Sequence, residues 1–134
     1  MIYLDTSALL KQLVEEEHSG ALDTYLRAEP GIAFTSILAE VELPLALGRG
    51  GLDPTLGPEL LRYLAMVDLT PAIRQRAAGY GPLGLRTLDA IHVATAVELT
   101  AATGIDITVV TYDHRMVAGC AELGLPSLSP GVSN

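Results

Sequence analysis

The sequence has no tryptophan, one phenylalanine and one cysteine in 134 residues, and each scarcity excludes something. A single cysteine, Cys120, rules out an intrachain disulfide and fits a reducing compartment, so the cytoplasm is expected. Cys120 lies in the apolar helical pattern MVAGCAELG and reads as a small core filler, not a nucleophile. With aromatics at 4%, Leu, Ala and Val must fill the core, which suits helices packed on a sheet. No apolar run approaches membrane-spanning length, and no basic segment leads into one near the start, so neither a membrane span nor a signal peptide is expected. Positive charge is scarce too. Eight basic residues stand against sixteen acidic ones, net −8, and Lys11 is the only lysine. That balance argues against broad electrostatic binding of nucleic acid. It is compatible with acids gathered around a metal ion.

What is present is a globular composition, 49% hydrophobic, in a length that predicts one domain over 1–134 with a proper core. Ile2–Leu4 reads as a buried strand, followed by a helix from Thr6 to Glu17 and another from His18 to Ala28. Residues 32–36 read as a second strand and residues 36–47 as a helix interrupted by Pro44. After a turn-rich connector, residues 58–67 read as a helix and VDLT as a short strand. Residues 71–81 read as a helix with Pro71 in its first turn. Thr87 is expected to cap a long helix that Gly104 stops. ITVVTYD is the clearest strand, followed by a helix over 115–124 and a closing strand or tail. Strands alternating with helices predict an α/β fold, a central parallel sheet with helices on both faces in three layers. Sites in such folds form beyond the carboxyl ends of the strands.

Asp5 stands at one such end and Asp113 at another. A buried carboxylate needs a partner, so Asp5 either caps a helix or holds a cation. Asp89 lies in the first turn of its helix, where an acid also favours the helix dipole, and Asp113 also reads as a turn residue. In TSILAEVELPLALG, Glu40 and Glu42 point to nearly opposite sides of a helix. A helical wheel centres the apolar face near Val41, with Ile37, Leu38 and Leu45, and puts Glu42 at its edge. Glu42 is therefore preferred, and Glu40 stays open because Pro44 distorts the wheel. Carboxylate oxygens without Cys or His pairs suit Mg²⁺ or Mn²⁺. His92, three residues after Asp89, reads as a packing or hydrogen-bonding residue on its helix, with an Asp–His metal pair as the alternative.

Four stretches together resemble the PIN domain, and within it the VapC-type toxins of toxin–antitoxin pairs. YLDTSALLKQL resembles the family's opening strand and first acid, Asp5. TSILAEVELPLAL resembles its second motif, with Glu42 in the acid position, and Pro44 departs from that motif. LRTLDAIHVATA resembles the third, with Asp89, and VVTYDHRMVAGCAELGLPSLSPG the closing segment, with Asp113. The resemblance implies a Mg²⁺- or Mn²⁺-dependent endoribonuclease leaving a 5′-phosphate and a 3′-hydroxyl. It also implies a cognate VapB-type antitoxin that blocks the site, and a homodimer. Asp5, Asp89, Asp113 and Glu42 would hold the metal or orient the attacking water, supported by Thr6 and Thr111. Arg86 and Arg115, each beside a motif, are candidates for holding the RNA backbone. Three rivals remain. An aspartyl-phosphate phosphatase would usually carry a second acid where Ser7 stands. A receiver domain would need a late lysine. A non-catalytic interaction module would not need four intact acids.

Overall fold

The computed structural model describes residues 1–133, so the final residue of the expected 1–134 domain lies outside the described residues. Five short strands, β1 (Ile2–Leu4), β2 (Ala33–Ser36), β3 (Ala65–Val67), β4 (Thr108–Val110) and β5 (Ser127–Leu128), form one parallel sheet in the order β3-β2-β1-β4-β5. Seven α-helices connect them: α1 (Thr6–Leu13), α2 (Ser19–Ala28), α3 (Ala39–Arg49), α4 (Leu56–Leu61), α5 (Pro71–Ala78), α6 (Thr87–Thr103) and α7 (His114–Glu122). The period-two alternation of a strand divides the core. Ile2 and Leu4 of β1 pack with Leu9, Leu22, Leu43, Leu47 and Leu61 of α1–α4 on one face. Tyr3 and Val109 pack with Ile73, Val93 and Met116 of α5–α7 on the other. The three-layer α/β expectation holds.

Several boundaries differ from the sequence reading. The helix expected over 58–67 ends at Leu61, and Ala65–Val67 is instead strand β3, paired through Phe34↔Ala65 and Ser36↔Val67. An apolar run as short as LAMV has no period of its own, and pairing with β2 decides it. α1 stops at Leu13, before the acidic run. α3 begins at Ala39, because Ser36 is the last residue of β2. The buried side of α3 is Ala39, Leu43 and Leu47, whereas Val41 is 62% exposed and Leu45 51% exposed. The wheel centred on Val41 was therefore wrong in direction. Thr87 is the first residue within α6, and Arg86 occupies its N-cap position without a side-chain cap.

The order of the sheet positions the site. β1 is central, and the chain switches direction across the sheet between β1 and β4, the place beyond whose strand ends sites form in parallel sheets. Gly119 of α7 lets Leu85 approach, since a Cβ there would meet Leu85 carbons at 3.2 Å. That close contact docks the segment leading into α6 against α7.

Candidate active site

The pairing Leu4↔Val110 sets Asp5 and Thr111 side by side, one residue past the ends of β1 and β4. Asp5 caps α1, its Oδ1 accepting the Ala8 N–H at 3.0 Å and the Ser7 hydroxyl at 2.7 Å. Its Oδ2 accepts the Thr111 hydroxyl at 2.6 Å. Both hydroxyls also work on the other element: Thr111 Oγ1 accepts the Asp113 N–H at 3.1 Å, and Ser7 Oγ accepts the Tyr112 N–H at 3.0 Å. The start of α1 and the turn into α7 are thus tied together through Asp5. Asp5 is 3% exposed, and burial pushes its carboxyl above the ordinary value of 3.8, although His92, Thr111, Ser7 and the Ala8 N–H pull it down. A carboxylate so enclosed, with both oxygens bonded, is poorly presented for the phosphatase's nucleophilic role.

Asp113 caps α7, accepting the N–H groups of Arg115 at 2.8 Å and Met116 at 3.3 Å. Asp89 lies in the first turn of α6 and is half-buried. Burial raises its pKa, and the negative charges of Asp113 and Asp5 raise it further, against His92 and the Arg86 N–H, which lower it. Three helix N-termini therefore bring three acids into one electrostatic neighbourhood. The helix dipoles favour each acid singly, but the acids repel one another. The capping reading holds for Asp5 and Asp113, and the first-turn reading for Asp89.

Glu42 of α3 approaches from the other side of the sheet's end. Its Oε1 accepts the Thr6 hydroxyl at 3.0 Å and contacts His92 Nε2 at 2.7 Å. Burial acts to raise the Glu42 pKa, but the hydrogen bonds from His92 and Thr6 bring it below the ordinary 4.5. Glu40 is exposed, so of the two glutamates only Glu42 faces Thr6 and His92. His92 itself is 2% exposed, and its Nδ1 meets the Tyr3 hydroxyl at 2.6 Å. With both ring nitrogens engaged, the alternative of an Asp89–His92 metal pair loses its donor. Sequence reasoning placed His92 on its helix and missed its partners. Ser7 and Tyr3 were missed as well. The only signal for Ser7 was its place two residues after a capping aspartate. Arg86 and Arg115 are exposed, one at the start of α6 and one in the first turn of α7.

Among the described residues, no three His, Cys, Asp or Glu side chains are drawn together tightly enough to enclose an ion. The acids form a neighbourhood, with Asp5 and Asp113 holding backbone and hydroxyl donors. The donor chemistry still fits a hard divalent cation. It is all carboxylate, its histidine is committed elsewhere, and Asp89 feels the negative charges of Asp113 and Asp5. Cys120, buried on α7, has its thiol pushed up to about 11 by burial and is inert.

Residues 2–120 match the PIN domain family. The chain belongs to that family. It is 42% identical over 142 aligned residues to a ribonuclease named VapC47 from Mycobacterium tuberculosis, covering 98% of each chain. Among solved structures, it superposes on Mycobacterium tuberculosis VapC20, a toxin described as cleaving the sarcin–ricin loop. That match has a TM-score of 0.73 at 16% identity, covering 88% of this chain and 94% of that one. It also superposes on FitAcB from Neisseria gonorrhoeae, with a TM-score of 0.73 at 18% identity, covering 97% and 98%. This PIN domain has no helix, among the described residues, long and apolar enough to cross a membrane.

Proposed function

We propose that this single PIN domain is a Mg²⁺- or Mn²⁺-dependent endoribonuclease, the toxin of a VapBC-type pair, acting in the cytoplasm as a homodimer and silenced by a cognate VapB-type antitoxin. The observation that carries the reading is the placement of Asp5, buried at the switch point of the sheet and tied through Thr111 to the Asp113 turn, with Asp89 close enough for the charges of both to act on it. The 42% identity to a ribonuclease supports it.

Asp5, Asp89 and Asp113 would hold the cation, directly or through water, with Glu42 as a further ligand or the acceptor of the attacking water's proton. When bound, the ion would neutralise charge building on the phosphodiester and favour ionisation of water. Thr111 and Ser7 hold Asp5 in register with α7, and Thr6 and His92 fix Oε1 of Glu42. Both Glu42 bonds fall on Oε1, so Oε2 is the oxygen left to take a proton. Arg86 and Arg115 would grip flanking phosphates, and their exposure suits that contact. An acidic pocket also attracts a basic antitoxin segment, which is a physical route to inhibition by occupancy.

Expression of the wild type and of Asp89→Asn in cells, with sequencing of RNA ends, tests the proposal. New 5′-phosphate ends should appear only with the wild type and disappear when the antitoxin is co-expressed. Identical end profiles for the two proteins would reject it.

A further inference from the structure

The pair Tyr3–His92 has no part in the metal-binding set, yet it is built with more care than a packing contact requires. Both side chains are buried, at 0% and 2% exposure, and come from positions 89 residues apart in the sequence. Their rings meet edge to face, centroids 5.8 Å apart at 66°. The hydroxyl of Tyr3 reaches Nδ1 at 2.6 Å, and Nε2 on the far side of the ring reaches Glu42 Oε1 at 2.7 Å. The three groups link the central strand β1, through α6, to α3 beside the acids. α3, which carries Glu42, contains Pro44 two residues on, and proline deprives a helix of one backbone hydrogen bond. A carboxylate on such a helix needs an external anchor if its position is to be fixed.

A neutral imidazole has one donor and one acceptor nitrogen. A carboxylate only accepts, so Nε2 must carry the hydrogen. Nδ1 is then the acceptor, and the Tyr3 O–H is the donor that makes it so. Burial pushes the Tyr3 phenol well above its ordinary pKa, which keeps that hydrogen in place. Thr6 adds a second donor to the same Oε1 from α1.

We propose that His92, held in its Nε2–H tautomer by Tyr3, is a positioning residue for Glu42: it locks Oε1 and thereby aims Oε2 into the acidic pocket. The claim rests on the nuclease reading for its purpose and on the geometry for its substance. It assigns His92 no contact with RNA, metal or reacting atoms. The fixing of a ligand's orientation by an outer hydrogen-bond partner is worth about 10–100-fold in metal affinity or activity where it has been removed.

The experiment uses the full chain and three variants, His92→Leu, His92→Gln and Tyr3→Phe, each first checked for a wild-type circular dichroism spectrum and cooperative melting. Glutamine carries its amide nitrogen near the place of Nε2, so it restores the donor to Glu42 that leucine removes. Long-range ¹H–¹⁵N spectra of the wild type at neutral pH should show a single Nε2–H tautomer for His92, and Tyr3→Phe should mix the tautomers. Mn²⁺ titration followed by electron paramagnetic resonance should show affinity about 10–100-fold weaker in His92→Leu, about tenfold weaker in Tyr3→Phe, and largely recovered in His92→Gln. RNA cleavage should follow the same order. An Nδ1–H tautomer in the wild type overturns the proposal. So does a folded His92→Leu whose Mn²⁺ affinity matches the wild type, or a His92→Gln no better than the leucine variant. Should His92→Leu fail to fold, Tyr3→Phe and His92→Gln still decide the matter. Wild-type protein that binds Mn²⁺ with the expected tautomer but cuts no RNA would sink the nuclease reading and leave the positioning intact. RNA cleavage with the wrong tautomer would do the reverse.

Discussion

The two carboxylates that flank the pocket are shifted in opposite directions, and the difference lies in their neighbours. Asp5, 3% exposed, is surrounded by hydroxyls and an amide. Glu42, with 17% of its side chain exposed, has an imidazole at 2.7 Å. Asp5 ends above its ordinary pKa because burial outweighs every donor around it, and Glu42 ends below because His92 and Thr6 outweigh burial. His92 acts on both carboxylates, but only Glu42 touches it. The Asp5 corner is geometrically complete yet its burial outweighs its donors, while at the Glu42 corner the hydrogen bonds from His92 and Thr6 outweigh burial. Under the proposed function, a cation would gain most from Asp5, and Glu42 would be left to act on water.

The strongest way to break this comparison is Asp5→Ala. Loss of the anchoring carboxylate should cut RNA cleavage by about 10³-fold or more, the equivalent of several kcal/mol of charge stabilisation. Single-turnover cleavage of a labelled RNA under saturating Mg²⁺ measures it. The variant also loses the cap of α1, which costs about 1 kcal/mol of stability. If Glu42→Gln proved far more damaging than Asp5→Ala, the anchoring role would have been given to the wrong carboxylate.

The pH dependence of metal binding sharpens the same contrast. Asp5 and Asp89 have folded-state pKa values above their ordinary ones. Between those two values the folded state holds more protons than the unfolded state, so stability falls as pH rises through that window. Glu42 is shifted down. Its contribution is present above its ordinary value and is lost only as pH falls through its lower, folded one. A divalent ion binds ionised carboxylates and should offset the loss at the aspartates. The increase in Tm on adding Mg²⁺ should be absent near the ordinary aspartate pKa and grow toward neutrality. At about one hundred times Kd it amounts to roughly 2.7 kcal/mol, or about 10 °C in a chain of this size. Calorimetric scans at several pH values with and without Mg²⁺ read it directly. A gain independent of pH would mean that the ion binds elsewhere.

How far the sequence discloses these corners depends on whether a feature is local. Asp5 follows a three-residue strand and precedes a helix, so its place at a strand end is visible in IYLDTSALL. Asp113 and Asp89 sit at helix starts, and caps are written within a few residues. The partners of Glu42 are another matter. His92 is 50 residues away on another helix, and nothing in EVELP points to it. The face of α3 was misread because Leu, Val and Ala occur around most of that helix, so composition alone gave it no clear side. The break between α4 and β3 was missed for a related reason. Tyr63 to Val67 is apolar throughout, and only its pairing with β2 marks part of it as strand. Tertiary context overrides weak local preference in both places.

The smallest effects make the finest test, because two threonines do the same job in the two corners. Thr111 supplies Oδ2 of Asp5 with its hydrogen bond and accepts the Asp113 N–H. Thr111→Val strips a partner from each of two groups, one of them fully enclosed, and should cost about 1–3 kcal/mol of stability with about tenfold weaker Mn²⁺ binding. Thr6 supplies only one of two bonds to Glu42 Oε1 and stands at a part-exposed position. When Thr6→Val removes that bond, His92 still holds the oxygen and water reaches the gap. The change should cost under about 1 kcal/mol and alter Mn²⁺ affinity only a few-fold. Urea denaturation and Mn²⁺ titration of the two variants side by side give the ratio. If Thr6→Val were as costly as Thr111→Val, Glu42 would depend on its hydroxyl as Asp5 does, and the imidazole could not be what distinguishes the two corners.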